Sequence, residues 1–456
     1  GLKRKLYSSL SKIKPDKVDA AFGIALHMHQ PTIPASEDDL ESAALISNLQ
    51  YMMEHQDIGD NYNAPVFLKC YYRMSDFIKE LAGEGKNPRV MLDYSGNLLW
   101  GLEQIGQTEA IDKLKVIACD KKYYPYVEWL GTMWSHAVVS STPVPDIKLH
   151  IESWRHHFAS LFGDEALERV RGFSAPEMHL PIHPDICYEY VRALKEYGYR
   201  WLMVQEHTIE KTDASSIDNP YLPHKLVARN SLGEKEEIVA LIKTQGSDTK
   251  LVGQMQPYYE AKTKGRQNYA GVNLFPYVLQ IGDGENGGVM MNEFPEAYKK
   301  AFSEIGTQGT VSMNGSEYLE FIYNLGLKDG DLIEVQPVSQ SKIWEFIDGF
   351  KAGAADRALE KLKEKYPDFS LEKASWTNDK NWVKGYKDVM DPVNKLSVEF
   401  HKLFDKRRKI GGDNRYGKAL LYLLLSQTSC FRYWGKGLWT DYAKEICRRG
   451  MEVLGK

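Results

Sequence analysis

The chain has 456 residues, with 58 Lys and Arg against 62 Asp and Glu, which gives a formal net charge of −4. This length allows two or three domains, or one barrel with additions, and the balanced charge argues against nucleic acid and anionic membranes as partners. The five cysteines are widely spaced without a Cys-x-x-Cys pair, which argues against structural zinc and a disulfide scaffold. The basic N-terminal segment lacks an apolar stretch, and the longest apolar run, 419–425, cannot cross a bilayer. We therefore predict a cytoplasmic protein.

Seven short apolar segments recur through the first part of the chain, and amphipathic stretches such as 64–83 and 184–199 separate several of them. Buried strands that alternate with helices indicate a parallel α/β sheet, either open or closed into a barrel. In such folds the chemistry lies at the carboxyl ends of the strands. The predicted strands lie within 20–28, 89–94, 127–134, 171–175, 200–205, 237–244 and 275–281.

After about residue 345 the pattern becomes helical. An apolar seam with alternating spacings of four and three residues predicts one long helix, which Pro392 is expected to kink. Flanking helices are predicted at 352–365, 416–428 and 439–449. We predict an α/β domain over residues 1–345 and a helical domain over 346–456 packed against it. The seam consists of Trp382, Tyr386, Val389, Val393, Leu396, Phe400 and Leu403.

The first predicted strand ends in "ALHMHQP", which carries His27, His29 and Gln30. Alternate residues of a strand share one face, so the two imidazoles can hold a metal or donate hydrogen bonds to a polar ligand. A lone histidine is usually a satisfied core residue, but two at a strand end favour a site. A metal would need further ligands, for which His136, His179 and His183 are candidates without a recognisable spacing.

The segment "GFSAPEMHLP" places Glu177 directly after a short strand and after Pro176. The proline restricts the backbone next to the carboxylate and helps to fix its direction. Most glutamates are solvated surface residues, whereas this position favours a functional one.

The glycines of "IGDGENGG" match the spacing of a dinucleotide-binding turn, but Asp283 and Glu285 lie among them and would repel phosphates. The carboxylates instead suit acid–base chemistry or a hard cation. Two carboxyl groups that converge from separate strand ends are what glycoside hydrolysis requires, and retaining enzymes place them roughly 5–5.5 Å apart. The 27 Tyr and ten Trp are compatible with a cleft for sugar rings, although a large aromatic core explains them equally well.

Together these segments resemble glycoside hydrolase family 57. The resemblance rests, in chain order, on "HQP", "VEWLGTMWSHAVVS" (127–140), "GFSAPEMHL", "DGENGG" and "LLLSQTSCFRYWGKGLWTDY" (423–442). It implies a (β/α)7 barrel with a C-terminal helical domain, and retaining action on α-glucans without a cofactor or a required metal. It also implies that Glu177 is the nucleophile and Asp283 the acid/base. The substrate-binding residues that it implies are His27, His29, Gln30, Trp134, His136, His179, Glu285, Cys430, Trp434 and Trp439.

Two departures from the family pattern bear on the substrate. Many members carry a glutamate where this chain has His136, and an acidic residue where it has Ser429 and Cys430. The compact length favours an α-1,4-acting amylase, with a 4-α-glucanotransferase or another α-glycosidase as the alternative. Two hypotheses from other classes stay open: a metal-dependent deacetylase or amidohydrolase using His27, His29 and Asp283, with His179 as a further candidate ligand, and a carbohydrate-binding protein without turnover.

Overall fold

The computed structural model of the chain describes residues 5–36, 38–244, 248–285, 288–371, 387–406, 413–433 and 437–456. Each of the seven predicted apolar segments contains a strand, and these seven strands form the barrel that the sequence resemblance implies. We number them β1 to β7 in chain order. They are β1 Val18–Met28, β2 Val90–Tyr94, β3 Val127–Trp129, β4 Gly172–Ser174, β5 Trp201–Gln205, β6 Lys235–Lys243 and β7 Tyr277–Asp283.

The seven strands are parallel and close on themselves. β1 pairs with β2 on one side and with β7 on the other, and the ladder continues from β7 through β6 and β5 to β4. On the other side β2 pairs with β3, and a parallel bridge between Gly131 and Phe173 joins the end of β3 to β4. The predicted (β/α)7 barrel is therefore confirmed.

The two faces of each strand belong to separate parts of the core. Inside the barrel, Ala21, Ala25, Met203 and Leu279 belong to one buried cluster. The residues between them face the surrounding helices and belong to a second cluster, which includes, in strand order, Phe22, Ile24, Leu26, Leu92, Leu202, Val204, Ile242 and Val278. This alternation follows from the two-residue period of a strand, and burial of both faces explains why the strands appear in the sequence as continuous apolar runs.

Helices and small strands connect the barrel strands. Two short antiparallel pairs, Thr32–Pro34 with Leu45–Ser47 and Gln267–Tyr269 with Val272–Leu274, decorate the loops. Gly309–Ser312 pairs with β1, while His224–Arg229, Ile333–Pro337 and Ile209–Lys211 extend the sheet from β6. The helices are Asn48–Glu54, Ala64–Gly83, Gly96–Gln104, Thr108–Cys119, Val144–Phe162, Asp164–Glu168, Pro184–Glu196, Asp248–Gly253, Gln256–Ala261, Phe294–Glu304, Gly315–Asn324 and Gln340–Trp344.

The C-terminal part is helical, as the sequence predicts. The part of the seam from Val389 to Leu403 lies on the helix Lys387–Phe404, which runs through Pro392. Its residues Val389, Val393, Leu396 and Phe400 are buried, whereas Trp382 and Tyr386 lie outside the described residues. The other helices of this part are Ala354–Lys365, Arg415–Ser426, Ser429–Tyr433 and Leu438–Val453. No helix within the described ranges is long and apolar enough to cross a membrane, and the cytoplasmic location stays a prediction.

A buried carboxyl group lies at the amino end of the barrel. Glu128 of β3 accepts hydrogen bonds from the backbone N–H and the hydroxyl of Ser316, at 3.0 and 2.6 Å. Burial and, to a smaller extent, the charge of Glu320 raise the pKa of Glu128 to about 8, against the two hydrogen bonds from Ser316. Glu128 therefore keeps its proton in the folded protein at pH values where an unfolded chain has lost it.

This difference predicts that stability falls as the pH rises. The ordinary pKa of a glutamate is 4.5, so between pH 4.5 and about 8 the folded state binds a proton that the unfolded state does not. Glu128→Gln should flatten the decline of the thermal midpoint over this range, whereas replacing the exposed Glu334 should not. An unchanged pH dependence in Glu128→Gln would show that Glu128 does not titrate in this way.

Candidate active site

Three polar side chains lie at the carboxyl end of neighbouring barrel strands. In the strand pairing, His27 of β1 lies beside Asp283 of β7 on one side and Asp93 of β2 on the other. Every second side chain of a barrel strand faces the interior, and these three positions belong to that set. Their side chains therefore extend over the barrel interior. The sequence predicts His27 and Asp283 at a common site, and the register brings them together.

His27 forms a close ion pair with Asp93. The distance from His27 Nδ1 to Asp93 Oδ2 is 2.9 Å, and Asp93 is 1 % exposed. Burial alone would lower the pKa of His27, but the charge and hydrogen bond of Asp93, with Asp283 and Glu285, raise it to about 10. The ring is therefore an imidazolium at neutral pH.

Two further imidazoles pack against it. The ring of His136 stacks on His29 with centroids 4.5 Å apart and lies 4.7 Å from the ring of His27. His29 Nδ1 is 2.7 Å from the hydroxyl of Ser95. Burial and the neighbouring imidazoles lower the pKa of His29 and of His136 well below the ordinary value. The cluster thus contains one charged and two neutral imidazoles.

Glu177 follows β4 in a backbone conformation that non-glycine residues rarely adopt. Its φ and ψ are 59° and 19°, in the left-handed region, and the next residue, Met178, also has a positive φ. Such a conformation costs about 1–3 kcal/mol and is typically kept where function requires it. Glu177 Oε1 lies 3.9 Å from Nδ1 of His136, another residue with a positive φ. The strained turn brings the carboxylate to the histidine cluster.

Glu285 completes the charged part of the site. Its Oε1 accepts hydrogen bonds from the backbone N–H of His29 at 3.3 Å and from the hydroxyl of Tyr71 at 3.4 Å. Gln30 donates to the same hydroxyl at 2.9 Å. Burial and the charge of Asp283 raise the pKa of Glu285 to about 8, against the effect of His27. Glu285 is therefore protonated at neutral pH, so that one of its oxygens is a hydrogen-bond donor.

The C-terminal helices contribute Ser429 and Cys430. The hydroxyl of Ser429 lies 2.6 Å from Nδ1 of His136, and its backbone N–H donates to the carbonyl of His136 at 3.1 Å. Burial raises the pKa of the Cys430 thiol to about 12, and the charges of Glu177 and Asp283 add to this shift against a hydrogen bond with Ser429. Cys430 is therefore a protonated thiol at neutral pH.

Polar contacts across the interface hold this segment in place. Ser135 and Thr428 hydroxyls lie 2.5 Å apart, and Nε2 of His150 lies 2.8 Å from the side-chain oxygen of Gln427. The buried guanidinium of Arg432 donates to the carbonyl of Ser141. The fifth segment of the sequence resemblance is therefore fixed against the loop that carries His136.

The remaining predicted substrate residues occupy different surroundings. Trp134 is 6 % exposed and lies in the hydrophobic core, where its indole N–H donates to His157 at 3.1 Å. This placement favours a packing role over sugar stacking. Trp439 packs against Phe431 and Tyr442 in the helical part. His179 is buried, and Trp434 lies outside the described residues.

The glycine-rich loop owes one of its glycines to packing. A Cβ added at Gly284 would lie 2.0 Å from the terminal carbon of Met28, so the flexible side chain of Met28 would have to move. Packing against Met28 therefore accounts for this glycine without a phosphate. Within the described ranges, no three His, Cys, Asp or Glu side chains are grouped as a metal site requires.

Sequence reasoning missed Asp93, Ser95 and Tyr71, which orient the predicted residues. The segment "RVMLDYS" contains the signal for two of them, since Asp93 and Ser95 are polar residues at the end of an apolar strand. The sequence pattern of this segment predicts only a strand. Tyr71 lies in the middle of the helix Ala64–Gly83, where no pattern distinguishes it from a core residue.

Comparisons with known proteins agree with this architecture. The model of the family described as glycosyl hydrolase family 57 matches residues 23–267, which include His27, His136 and Glu177 and end before Asp283. No curated protein matches the chain in sequence.

Several solved structures share the fold at low sequence identity. A 4-alpha-glucanotransferase from Thermococcus litoralis aligns over 96 % of this chain and 59 % of its own, with a TM-score of 0.57 and 15 % identity. This chain therefore spans less than two thirds of that enzyme. A branching enzyme from Thermococcus kodakaraensis aligns over 95 % and 88 % (TM-score 0.53, 12 % identity). The alpha-amylase AmyC from Thermotoga maritima aligns over 96 % and 93 % (TM-score 0.53, 10 % identity).

Proposed function

The chain belongs to glycosyl hydrolase family 57, and on this premise we propose that it is a retaining glycosidase that cleaves α-1,4-glucans by double displacement. Glu177 is the nucleophile and Asp283 the acid/base. The observation that carries the proposal is that the histidine cluster links these two carboxylates: Asp283 is the register partner of His27, whose ring lies 4.7 Å from that of His136, and Glu177 Oε1 lies 3.9 Å from His136 Nδ1. Two carboxyl groups facing one small volume at a barrel mouth are the arrangement that retaining glycosidases use.

The reaction needs two steps with opposite proton movements. In the first, Asp283 gives its proton to the glycosidic oxygen while a Glu177 oxygen forms a bond to the anomeric carbon and the glycosidic bond breaks. In the second, Asp283 takes a proton from water, which attacks the anomeric carbon and releases Glu177. The configuration is inverted twice and therefore retained.

The surrounding groups suit a neutral sugar. Neutral His29 and protonated Glu285 supply hydrogen bonds to hydroxyl groups without adding charge. His29 Nε2 and Glu285 Oε2 are buried and have no hydrogen-bond partner in the described part of the chain. Such atoms cost about 1–3 kcal/mol each unless a ligand satisfies them, which supports a polar ligand at this point.

Transfer to a second glucan is the alternative outcome of the same intermediate. A glucanotransferase aligns with nearly the whole of this chain, which supports glucan transfer as the second candidate function. The two activities differ only in whether water or a sugar hydroxyl reaches the glycosyl ester on Glu177. The metal-dependent hydrolase has no ligand set in the described residues to support it.

Product analysis on maltoheptaose tests the proposal. We expect the wild-type protein to give only shorter oligosaccharides, since water is the acceptor. Longer products beside the shorter ones would identify a glucanotransferase. If maltoheptaose stays intact and binds with equal affinity to wild type and Glu177→Gln, the protein is a carbohydrate-binding protein and the proposal is wrong.

A further inference from the structure

A buried carboxylate of the site has no role in the two-step reaction. Asp93 is 1 % exposed at the end of β2, and its Oδ2 lies 2.9 Å from Nδ1 of His27. Its Oδ1 has no hydrogen-bond partner in the described ranges. A carboxylate is costly to bury unless its contacts compensate for the lost water. The close contact of Asp93 is with His27, next to the reacting groups, which indicates that Asp93 acts through His27.

His27 connects Asp93 to the reacting groups. It is the register partner of Asp283 as well as of Asp93, so the three side chains stand side by side on adjacent strands. The groups that face its ring are Asp93 from β2, Asp283 and Glu285 from the end of β7, His136 from the loop after β3, and His29 from its own chain segment.

We propose that Asp93 is a positioning residue that fixes His27 as an imidazolium beside Asp283. Asp93 thereby sets the pH range in which Asp283 can act as the acid. This inference rests on the proposed role of Asp283. It assigns no contact between Asp93 and the sugar.

The hydrogen bond to Asp93 selects one orientation of the ring. With the Nδ1 proton donated to Asp93, the Nε2 N–H is the donor left for Asp283 or the substrate. The positive charge favours the ionised form of Asp283, because an opposite charge nearby stabilises a carboxylate. Without Asp93, His27 should lose its proton near neutral pH, and Asp283 should then keep its own proton to higher pH.

The test compares Asp93→Asn with a matched surface pair. His183 and Asp356 form the same kind of contact, 2.8 Å long, but the Asp356 side chain is 67 % exposed. The alkaline limb of the pH profile is the fall of kcat/KM at high pH. We expect Asp93→Asn to move this limb to higher pH by about one unit, the smaller end of what a nearby charge produces. We also expect kcat to fall by about a hundredfold, the lower end of general acid–base effects. Asp356→Asn should change neither.

The double variant separates positioning from a loss of folding. His27→Gln should reproduce the shift of the alkaline limb, and Asp93→Asn combined with His27→Gln should add nothing to it, because both residues act through one group. If Asp93→Asn does not fold, the shift in His27→Gln alone carries the test. The proposal would be overturned if the two substitutions shifted the alkaline limb additively, or if Asp93→Asn and His27→Gln left the limb where it is in wild type.

A second readout does not depend on turnover. NMR titration of His27, assigned from the difference between wild type and His27→Gln, should show an imidazolium up to pH 9 in wild type. In folded Asp93→Asn the same ring should lose its proton at lower pH than in wild type. An unchanged titration would overturn the inference even if the enzyme cleaves glucans, whereas an inactive wild type with the expected titration would overturn only the proposed function.

Discussion

Replacing Glu177 by Ala is expected to slow the cleavage of maltoheptaose by roughly a thousandfold or more, the scale of loss seen when a catalytic nucleophile is removed. Asp283→Ala should lose about 10²–10⁴-fold, the contribution of general acid–base catalysis. Both variants should keep the thermal midpoint of wild type within a few degrees, since neither carboxylate is in the hydrophobic core. The exposed Glu334→Ala serves as a control and should keep full activity. Initial rates and thermal denaturation measure these effects.

Azide distinguishes the two roles by stereochemistry. An aryl α-maltooligoside has a leaving group that needs no proton, so Asp283→Ala should still form the glycosyl ester on Glu177, and azide should convert it to an α-glycosyl azide after two inversions. In Glu177→Ala no ester can form, and azide should attack directly to give the β-azide after one inversion. The opposite assignment of products would exchange the roles of the two residues. The β-azide from both would contradict the double displacement.

The barrel could be predicted because both faces of its strands are buried. This burial produces the seven apolar runs, and each of them contains one barrel strand. The apolar runs alone do not predict closure, which only the family resemblance implies, because β3 and β4 are joined through the bridge between Gly131 and Phe173. Apolar runs of three residues look the same in an open sheet and in a closed barrel.

The site was predictable where polar residues directly follow an apolar run, as at His27, Glu177 and Asp283. Contacts between distant segments were not. Ser429 and His136 are 293 positions apart and meet only because the helical part packs on the barrel. Asp93 could not be assigned to the site from the sequence, because one acidic residue at the end of "RVMLD" does not reveal whether it faces the barrel interior or the solvent.

The resemblance, and not the aromatic composition, assigns Trp134 to substrate binding, and this assignment stays a prediction. In the structure the ring of Trp134 fills the space over Gly96, where a Cβ would lie 2.1 Å from the indole. A tryptophan that packs this closely on backbone leaves little of its face for a ligand. The sequence contains no signal that separates such a residue from an exposed platform.

The ion pair between Arg89 and Glu317 is expected to have the largest single effect on stability. Arg89 precedes β2, and both of its bonds to Glu317 are short: Nε to Oε2 at 2.9 Å and Nη2 to Oε1 at 3.0 Å. The exposed fractions are 0 % for Arg89 and 1 % for Glu317. Glu317→Gln leaves the guanidinium buried without its counter-charge, which should destabilise the fold by about 3–5 kcal/mol.

The matched control and the double variant identify the cause. Lys299 and Glu80 form a 2.7 Å pair on the surface, and Glu80→Gln should cost less than about 1 kcal/mol because water screens exposed charges. Arg89→Met combined with Glu317→Leu should recover much of the loss, because the penalty comes from the uncompensated charge and not from the absence of attraction. Thermal and urea denaturation measure the stability of the control and of the double variant. If Glu317→Gln costs no more than Glu80→Gln, water reaches Arg89, and the amino end of the barrel is less dry than the burial of this pair implies.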